Sequence, residues 1–446
     1  MTLTEQSQNT SRHFVGTNNI DRKMLRHNGL LFFAKNWGRK TAVFDVNYIH
    51  YNMAEDERYH TTGDYLFRYN NQFDRTTDLF LAKMDVDIPT QGFKLDFGTS
   101  FQYTLTKNNA RYLDNPTLPN QYDLFKYREQ IWAFYADFMF RPFPKTISKI
   151  GLRGETTITT GDQFDLGQRI ENKQFHLFPT LFINYNPHPN HVLSFSYGSR
   201  IDRPTFAILN PFRKFQNQEN LIEGSPHLSP SVSHNIEWGY TFKRNLNLNL
   251  SYRNTRNIID LVPIIMGDGK ILHTYRNASN SQIMSLSSSY RWAPTDWFNL
   301  TLGAYGYYMY GRSDVYEKPV ENKGWSFLTY GIGTIYLNQQ KNWVAEINAQ
   351  YQSRETYALR TTNPRYYLHT GIKYTALRGK LNIGLQLQNL LNNDIRFTQD
   401  SPQGYGIHHV EKSYRTLKFS ISYNFGGEIK KSAYSNSNHL YNRLSE

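Results

Sequence analysis

Residues 246–252 read Leu-Asn-Leu-Asn-Leu-Ser-Tyr, so that Leu246, Leu248, Leu250 and Tyr252 alternate with Asn247, Asn249 and Ser251. Successive side chains of an extended chain point to opposite faces, which makes this stretch a ribbon with one apolar and one polar side. The pattern recurs at 93–106, where Phe93, Leu95, Phe97, Phe101, Tyr103 and Leu105 sit opposite Lys94, Asp96, Ser100, Gln102 and Thr104. It recurs again at 128–140, with Trp132, Phe134, Phe138 and Phe140 on one face. Counted this way the chain holds about eighteen period-two ribbons. The first four, near 24–35, 41–53, 60–70 and 78–87, are the least regular.

The connections carry as much information as the ribbons. Short ones fall at Arg141–Lys145, Asn186–Pro189, Lys243–Asn245, Pro294–Asp296, Asn338–Lys341 and Leu377–Arg378. Long ones fall near 107–127, 159–175, 200–234, 258–280, 311–324, 354–364 and 391–412, so short and long alternate. That asymmetry belongs to an antiparallel up-and-down transmembrane β-barrel, with tight periplasmic turns and long extracellular loops. A soluble sandwich or propeller has no reason to place every long connection at one end. Closure also removes the free edges that so large a sheet would expose.

Bulk properties agree. The 446 residues are long enough for two or three soluble domains or for one large barrel. No run of about eighteen apolar residues occurs, which excludes helical spans. A mean hydropathy of −0.65 is compatible with a barrel, because half of each strand faces water. The formal charge is +13 with a pI near 9.4. The basic residues are scattered over turns and polar faces without a Lys/Arg block, which argues against nucleic acid. Absence of Cys fits the cell envelope without proving it. Trp132, Trp238, Trp292, Trp297, Trp325 and Trp343 lie near ribbon ends, and Tyr305, Tyr307, Tyr308 and Tyr310 cluster at one outer end, as interfacial girdles require.

Residues 1–23 are polar and unpatterned and read as an irregular segment, 24–426 as the barrel, and 427–446, rich in Ser, Asn and Lys, as a polar periplasmic tail. The N-terminus shows no secretion signal. The expectation is that the beginning of the protein lies outside this sequence.

Two stretches, YGSRIDRPTFAILNPF at 197–212 and GSPHLSPSVSHNIEWGY at 224–240, resemble the signature of TonB-dependent receptor barrels. Within that group the chain is most similar to the outer membrane protein beta-barrel family. The resemblance extends from about 78 to 426 through IGLRGET at 150–156, FPTLFINY at 178–185, QLQNLLNND at 386–394 and LKFSISYNFG at 417–426. Its motif residues here are Arg203, Pro204, Asn210, Pro211, Phe212, Gly224, Pro226, Leu228 and Pro230. Ser225 stands where the family usually has Asn, and Ser231 where an acid is common, which puts a rim tie of the loop in doubt. Leu417, Phe419, Ile421, Tyr423 and Phe425 form an alternating last strand that resembles the signal read by the barrel-insertion machinery.

The resemblance implies uptake of a scarce extracellular solute in the outer membrane of a Gram-negative bacterium. The implied partners are outer-membrane lipid, the insertion machinery, a surface lipoprotein, and a plug domain and TonB if an upstream segment exists. It also implies a barrel of about twenty-two strands, of which this chain would be the C-terminal part.

For ligand contact the candidates are Arg200 and Arg203, two guanidinium groups flanking the longest connection, and Tyr112 and Tyr122 in the loop 107–127. A purely structural reading is open for each. The arginines can clamp the loop to neighbouring strands, and the loop aromatics can simply cover the barrel top. His188, His191, His408 and His409 match no ligand spacing, so no metal is expected. Gly331 and Gly333 read as a strand bend. No nucleophile elbow or zinc-protease motif appears, and no enzyme activity or cofactor is expected. Two other functions stay open: a passive or structural barrel without a plug, and a soluble β-rich carbohydrate-binding module.

Overall fold

The computed structural model describes residues 2–7, 10–63, 67–113, 121–217, 219–315, 319–357, 360–400, 406–425 and 443. Its long strands are β1 (Thr10–Trp37), β2 (Lys40–Gly63), β3 (Arg68–Pro89), β4 (Phe93–Leu113), β5 (Gln121–Phe140) and β6 (Thr146–Gln163). Next come β7 (Gln168–His188), β8 (His191–Asp202), β9 (Ser231–Phe242), β10 (Leu246–Ile265), β11 (Ile271–Thr295) and β12 (Phe298–Ser313). The last are β13 (Val320–Tyr336), β14 (Trp343–Gln352), β15 (Arg365–Ala376), β16 (Leu381–Gln388) and β17 (Thr416–Tyr423). Each pairs antiparallel with its sequence neighbour. Among the described residues β1 and β17 are not hydrogen-bonded to each other. The architecture is an antiparallel transmembrane β-barrel wall, with its tight turns at one end.

The orientation of the side chains is the one the alternation requires. Leu250 opposes Trp238 on β9 and Leu286 on β11, which are 47% and 56% exposed. On the other face Ser251 and Ser285 share a hydroxyl hydrogen bond of 2.6 Å, and Asn247 accepts one from Thr241 at 2.9 Å. Apolar side chains therefore face lipid and amides and hydroxyls face the interior. All six tryptophans named above are exposed. The tyrosine cluster is half girdle only: Tyr308 packs outward with Trp325, whereas Tyr307 is buried and donates to Glu355 at 2.7 Å. Neighbours along a strand cannot share a face, so four closely spaced tyrosines had to divide.

Two expectations are corrected. Residues 10–23 are not irregular: Gly16 to Lys23 pair with Thr61 to Ala54 on β2. The stretch 60–70 is not a strand of its own: β2 runs to Gly63 and β3 begins at Arg68. Likewise β4, β5, β6, β7, β10 and β11 run far into the connections read as loops. Alternation marks only the part of a strand that touches lipid. Beyond it the backbone ladder continues, because every N–H and C=O still finds its partner, but neither face has to be apolar.

On β17, Ile421 is 61% exposed and opposes Ile383. Placing Arg at Ile421 puts a charge on the lipid face at a cost of about 2–4 kcal/mol near mid-bilayer. The expected result is a sharp fall in the heat-modifiable, folded fraction on SDS gels. Wild-type yield of that fraction would mean that β17 presents its other face to lipid.

A candidate ligand cavity divided by an inward-folded segment

The signature residues build one object, a segment from 203 to 230 that leaves the end of β8 and crosses the interior before β9 begins. Arg203 donates to the carboxylate of Glu155 on β6 and to Thr157. Glu155 is buried and also holds Arg153. Phe206, Leu209 and Phe212 then enter an apolar cluster with Ile49 of β2, Leu79 and Leu81 of β3, and Phe125 and Tyr127 of β5. Farther on, Lys214 Nζ lies 2.9 Å from Glu55 Oε1 and 3.8 Å from the centre of the Phe73 ring. The Tyr69 hydroxyl donates to the carbonyl of Phe215. Asn220–Glu223 adds a short strand parallel to Ile271–Thr274 of β11.

Returning, the segment folds on itself. Gly224 N–H donates to Asn210 O at 3.0 Å and Ser225 N–H to Ile208 O at 2.7 Å. Ser231 does what the missing acid was expected to do, since its hydroxyl donates to Asn257 O at 2.8 Å. Asn277 adds a second tie, accepting from Ser229 N–H and donating to Ser229 O. Each fully buried Phe or Leu contributes about 1.5–3 kcal/mol. Three of them outweigh any exposed ion pair, so packing seats the segment and the charges orient it.

The interior on this side is therefore filled by side chains, with an apolar cluster set among buried polar groups such as Asn47, Glu55 and Asn71. The cluster is lined by inward residues of β2, β3 and β5, which explains why the earliest ribbons alternate poorly. Tyr48 faces out and Ile49 faces in, so both faces of one strand are apolar.

The segment leaves a cavity on either side. At the mouth, about 980 Å³ is lined by Tyr112, Asp123, Asp165, Arg213, Glu223 and Lys270, among others. Lower down, about 950 Å³ is lined by Lys149, Arg153, Arg200, Asp202, Glu237 and Arg253, among others. Between them a gap of only about 20 Å³ is bounded by Glu129, Arg203, Pro204, Leu228 and Pro230. Arg443 fills its edge: the guanidinium meets Glu129 at 2.6 and 3.1 Å, donates to Pro204 O, and lies 4.5 Å from the centre of the Phe206 ring.

In the mouth, above the lipid-facing band, burial raises the Asp123 carboxyl, and its neighbour Asp165 adds to this, against a hydrogen bond from Gln121. Burial also raises the Tyr112 phenol, whose oxygen has no hydrogen-bond partner among the described residues. Arg213 pairs with Glu223 at 2.7 Å and Lys270 with Asp268 at 2.8 Å. The cavity thus offers both charges, one buried phenol and apolar walls from Leu221 and Leu228. It can hold an amphipathic solute by several weak contacts.

The four residues singled out in the sequence are not brought together. Tyr112 lines the mouth cavity, Tyr122 is exposed and opposes Arg111, Arg200 lines the lower cavity, and Arg203 is neutralised in the gap. Pro226 and Leu228 line the mouth, Pro230 the gap and Pro211 the mouth floor. Glu55, Glu129, Glu155 and Lys214 carry the electrostatics and were missed; an acid on the inward parity of a strand is the signal that marks the first three. Among the described residues no group of three His, Asp or Glu is arranged around a metal. The rings of His188 and His191 pack edge to face, and the side chains of His408 and His409 lie outside the described residues.

Known structures share this architecture. The ferric yersiniabactin uptake receptor FyuA from Yersinia pestis superimposes with a TM-score of 0.58 at 12% identity, over 94% of this chain and 63% of its own. The siderophore receptor PiuA from Acinetobacter baumannii gives 0.60 at 12%, over 93% and 71%. The copper transporter OprC gives 0.60 at 10%, over 93% and 76%. The chain thus spans less than two thirds of the length of FyuA. No curated protein matches by sequence. A family model matches residues 35–423, and with it the signature segment that crosses the interior: the chain belongs to the outer membrane protein beta-barrel family.

Proposed function

We propose that this chain is the barrel of a TonB-dependent receptor that captures a scarce solute at the cell surface and admits it across the outer membrane. The observation that carries this reading is the packed, hydrogen-bonded segment that crosses the interior below a ligand-sized vestibule and leaves only about 20 Å³ of free space between it and the lower cavity. A passive pore needs a continuous water path, and a cavity of 300–1,000 Å³ is the size that encloses a small solute. FyuA, PiuA and OprC, named for uptake of metal or metal chelates, point to a ferric chelate or metal complex as the solute class. A plug domain and TonB are the partners of this reading, and a surface lipoprotein is a further one.

The test is accumulation of a labelled ferric chelate by iron-limited cells with and without this gene. Loss of uptake on deletion, together with sensitivity to a protonophore, is the expected result. Uptake that persists at the same rate when the proton gradient is collapsed would identify a passive barrel instead.

A further inference from the structure

Glu55, Glu129 and Glu155 are buried carboxylates on the inward parity of the wall, and two of them are held twice over. Glu55 meets Arg22 of β1 at 2.7 Å and Lys214 of the crossing segment at 2.9 Å. Glu155 meets Arg153 of its own strand and Arg203 of the segment. Glu129, on β5, has neither kind of partner. Its cross-strand neighbours are Thr104 and Thr159. Among the described residues, the one cation within hydrogen-bond reach of it is Arg443.

The contacts around that guanidinium have the form of a built site. Glu129, whose side chain is 3% exposed, accepts from Nη1 at 2.6 Å and from Nη2 at 3.1 Å along one edge. The Pro204 carbonyl accepts from Nη2 at 3.2 Å and from Nε at 3.3 Å along the next. The Phe206 ring covers the face, and Phe206 N–H donates to the Arg443 carbonyl at 3.4 Å. Two acceptors along two edges and an aromatic ring across the plane fit a planar fork; an ammonium meets the carboxylate alone. Arg443 itself belongs to neither wall nor segment. The last strand ends at Tyr423, opposite Leu381 and beside the turn at Leu377–Arg378, so Arg443 is tethered at the tight-turn end. From there an extended chain of this length reaches about 60 Å.

We propose that Glu129, the Pro204 carbonyl and Phe206 form a guanidinium-binding site in the constriction between the two cavities, filled in cis by Arg443. Its ligand class is the arginine side chain. The bound guanidinium joins one residue of the wall to two of the crossing segment, and so holds the segment against β5. Release leaves a buried carboxylate without a counter-charge, which is strongly unfavourable, so the site stays filled until another guanidinium takes the place of Arg443 or the segment shifts to let water in. Arg203 and Lys214 remain in place meanwhile, so release loosens the segment at Pro204 without unfolding the wall. The constriction can therefore be loosened by drawing Arg443 away from the tight-turn end. None of this depends on which solute the mouth receives.

The experiment is chemical rescue of Arg443→Ala in the full chain, read as protease cleavage between residues 203 and 230 in detergent and as conductance in planar bilayers. Loss of a bidentate charged contact should speed cleavage by about tenfold and raise conductance. Methylguanidinium should restore both toward wild type, whereas methylammonium, with the same charge and no fork, should not. In the double variant Glu129→Gln, Arg443→Ala the rescue should disappear. Heat-modifiable migration confirms that each variant is folded. Wild-type cleavage and conductance in Arg443→Ala, no restoration by methylguanidinium, equal restoration by methylammonium, or rescue that survives Glu129→Gln would each overturn the assignment.

Discussion

Gly224→Ala is expected to unseat the segment that divides the lumen while leaving the barrel wall folded. A Cβ at this position falls well inside contact distance of two backbone carbonyl oxygens, those of Asn210 and Ile208. Neither neighbour is a flexible side chain that can swing aside. Both oxygens are also the acceptors for Gly224 N–H and Ser225 N–H, so relief of the clash breaks both hydrogen bonds at once. Overpacking against a rigid backbone costs about 3 kcal/mol or more. The loss falls on the stretch that carries Phe206, Leu209 and Phe212 into the core. The readouts are new protease cleavage between residues 203 and 230 and a severalfold rise in single-channel conductance in planar bilayers, at unchanged heat-modifiable migration. Wild-type conductance with an uncut segment would show that the crossing tolerates the extra methyl group, and that its seat is looser than the contacts imply.

Glu155→Ala should be strongly destabilising to the interior wall. The Glu155 side chain is only 6% exposed and holds two guanidinium groups, of which Arg203 is itself 13% exposed. Removing the shared carboxylate leaves Arg203 charged and poorly solvated beside the apolar cluster, and breaking a buried pair from one side costs about 3–5 kcal/mol. Arg153, at 35% exposure, recovers most of its hydration and adds little. A double-mutant cycle with Arg203→Ala separates the pair from the packing. The expected result is that Arg203→Ala rescues part of the loss caused by Glu155→Ala, measured by urea unfolding in detergent micelles. Strictly additive losses, or a Glu155→Ala barrel within 1 kcal/mol of wild type, would place the seating energy wholly in Phe206, Leu209 and Phe212.

Much of the wall was legible in the chain. The Leu246–Tyr252 alternation named both faces of β10, and Ser251 and Leu250 lie where that parity puts them. The tight turns were legible too, at Lys243–Asn245 and Leu377–Arg378, where Lys243, Arg244, Leu377 and Arg378 adopt positive φ. The strand tips were not. Above the lipid Gly16 to Lys23 pair through backbone atoms that are the same in every residue, so side-chain pattern has nothing to report.

The site was legible as a motif but not as a shape. Arg203-Pro204 and Asn210-Pro211-Phe212 flagged the segment, yet reading them as a surface loop clamped by two arginines placed Arg200 and Arg203 together. In the fold Glu155 takes one, and the lower cavity the other.

The sequence by itself determined that these strands face lipid on one side, because water and hydrocarbon each select side chains one residue at a time, and selection of that kind leaves a period in the chain. Where the signature segment goes was decided only by tertiary structure. Its destination depends on Glu55, Phe73 and Leu79, more than a hundred residues upstream, offering a charge and an apolar wall at the place Lys214 and Phe206 can reach.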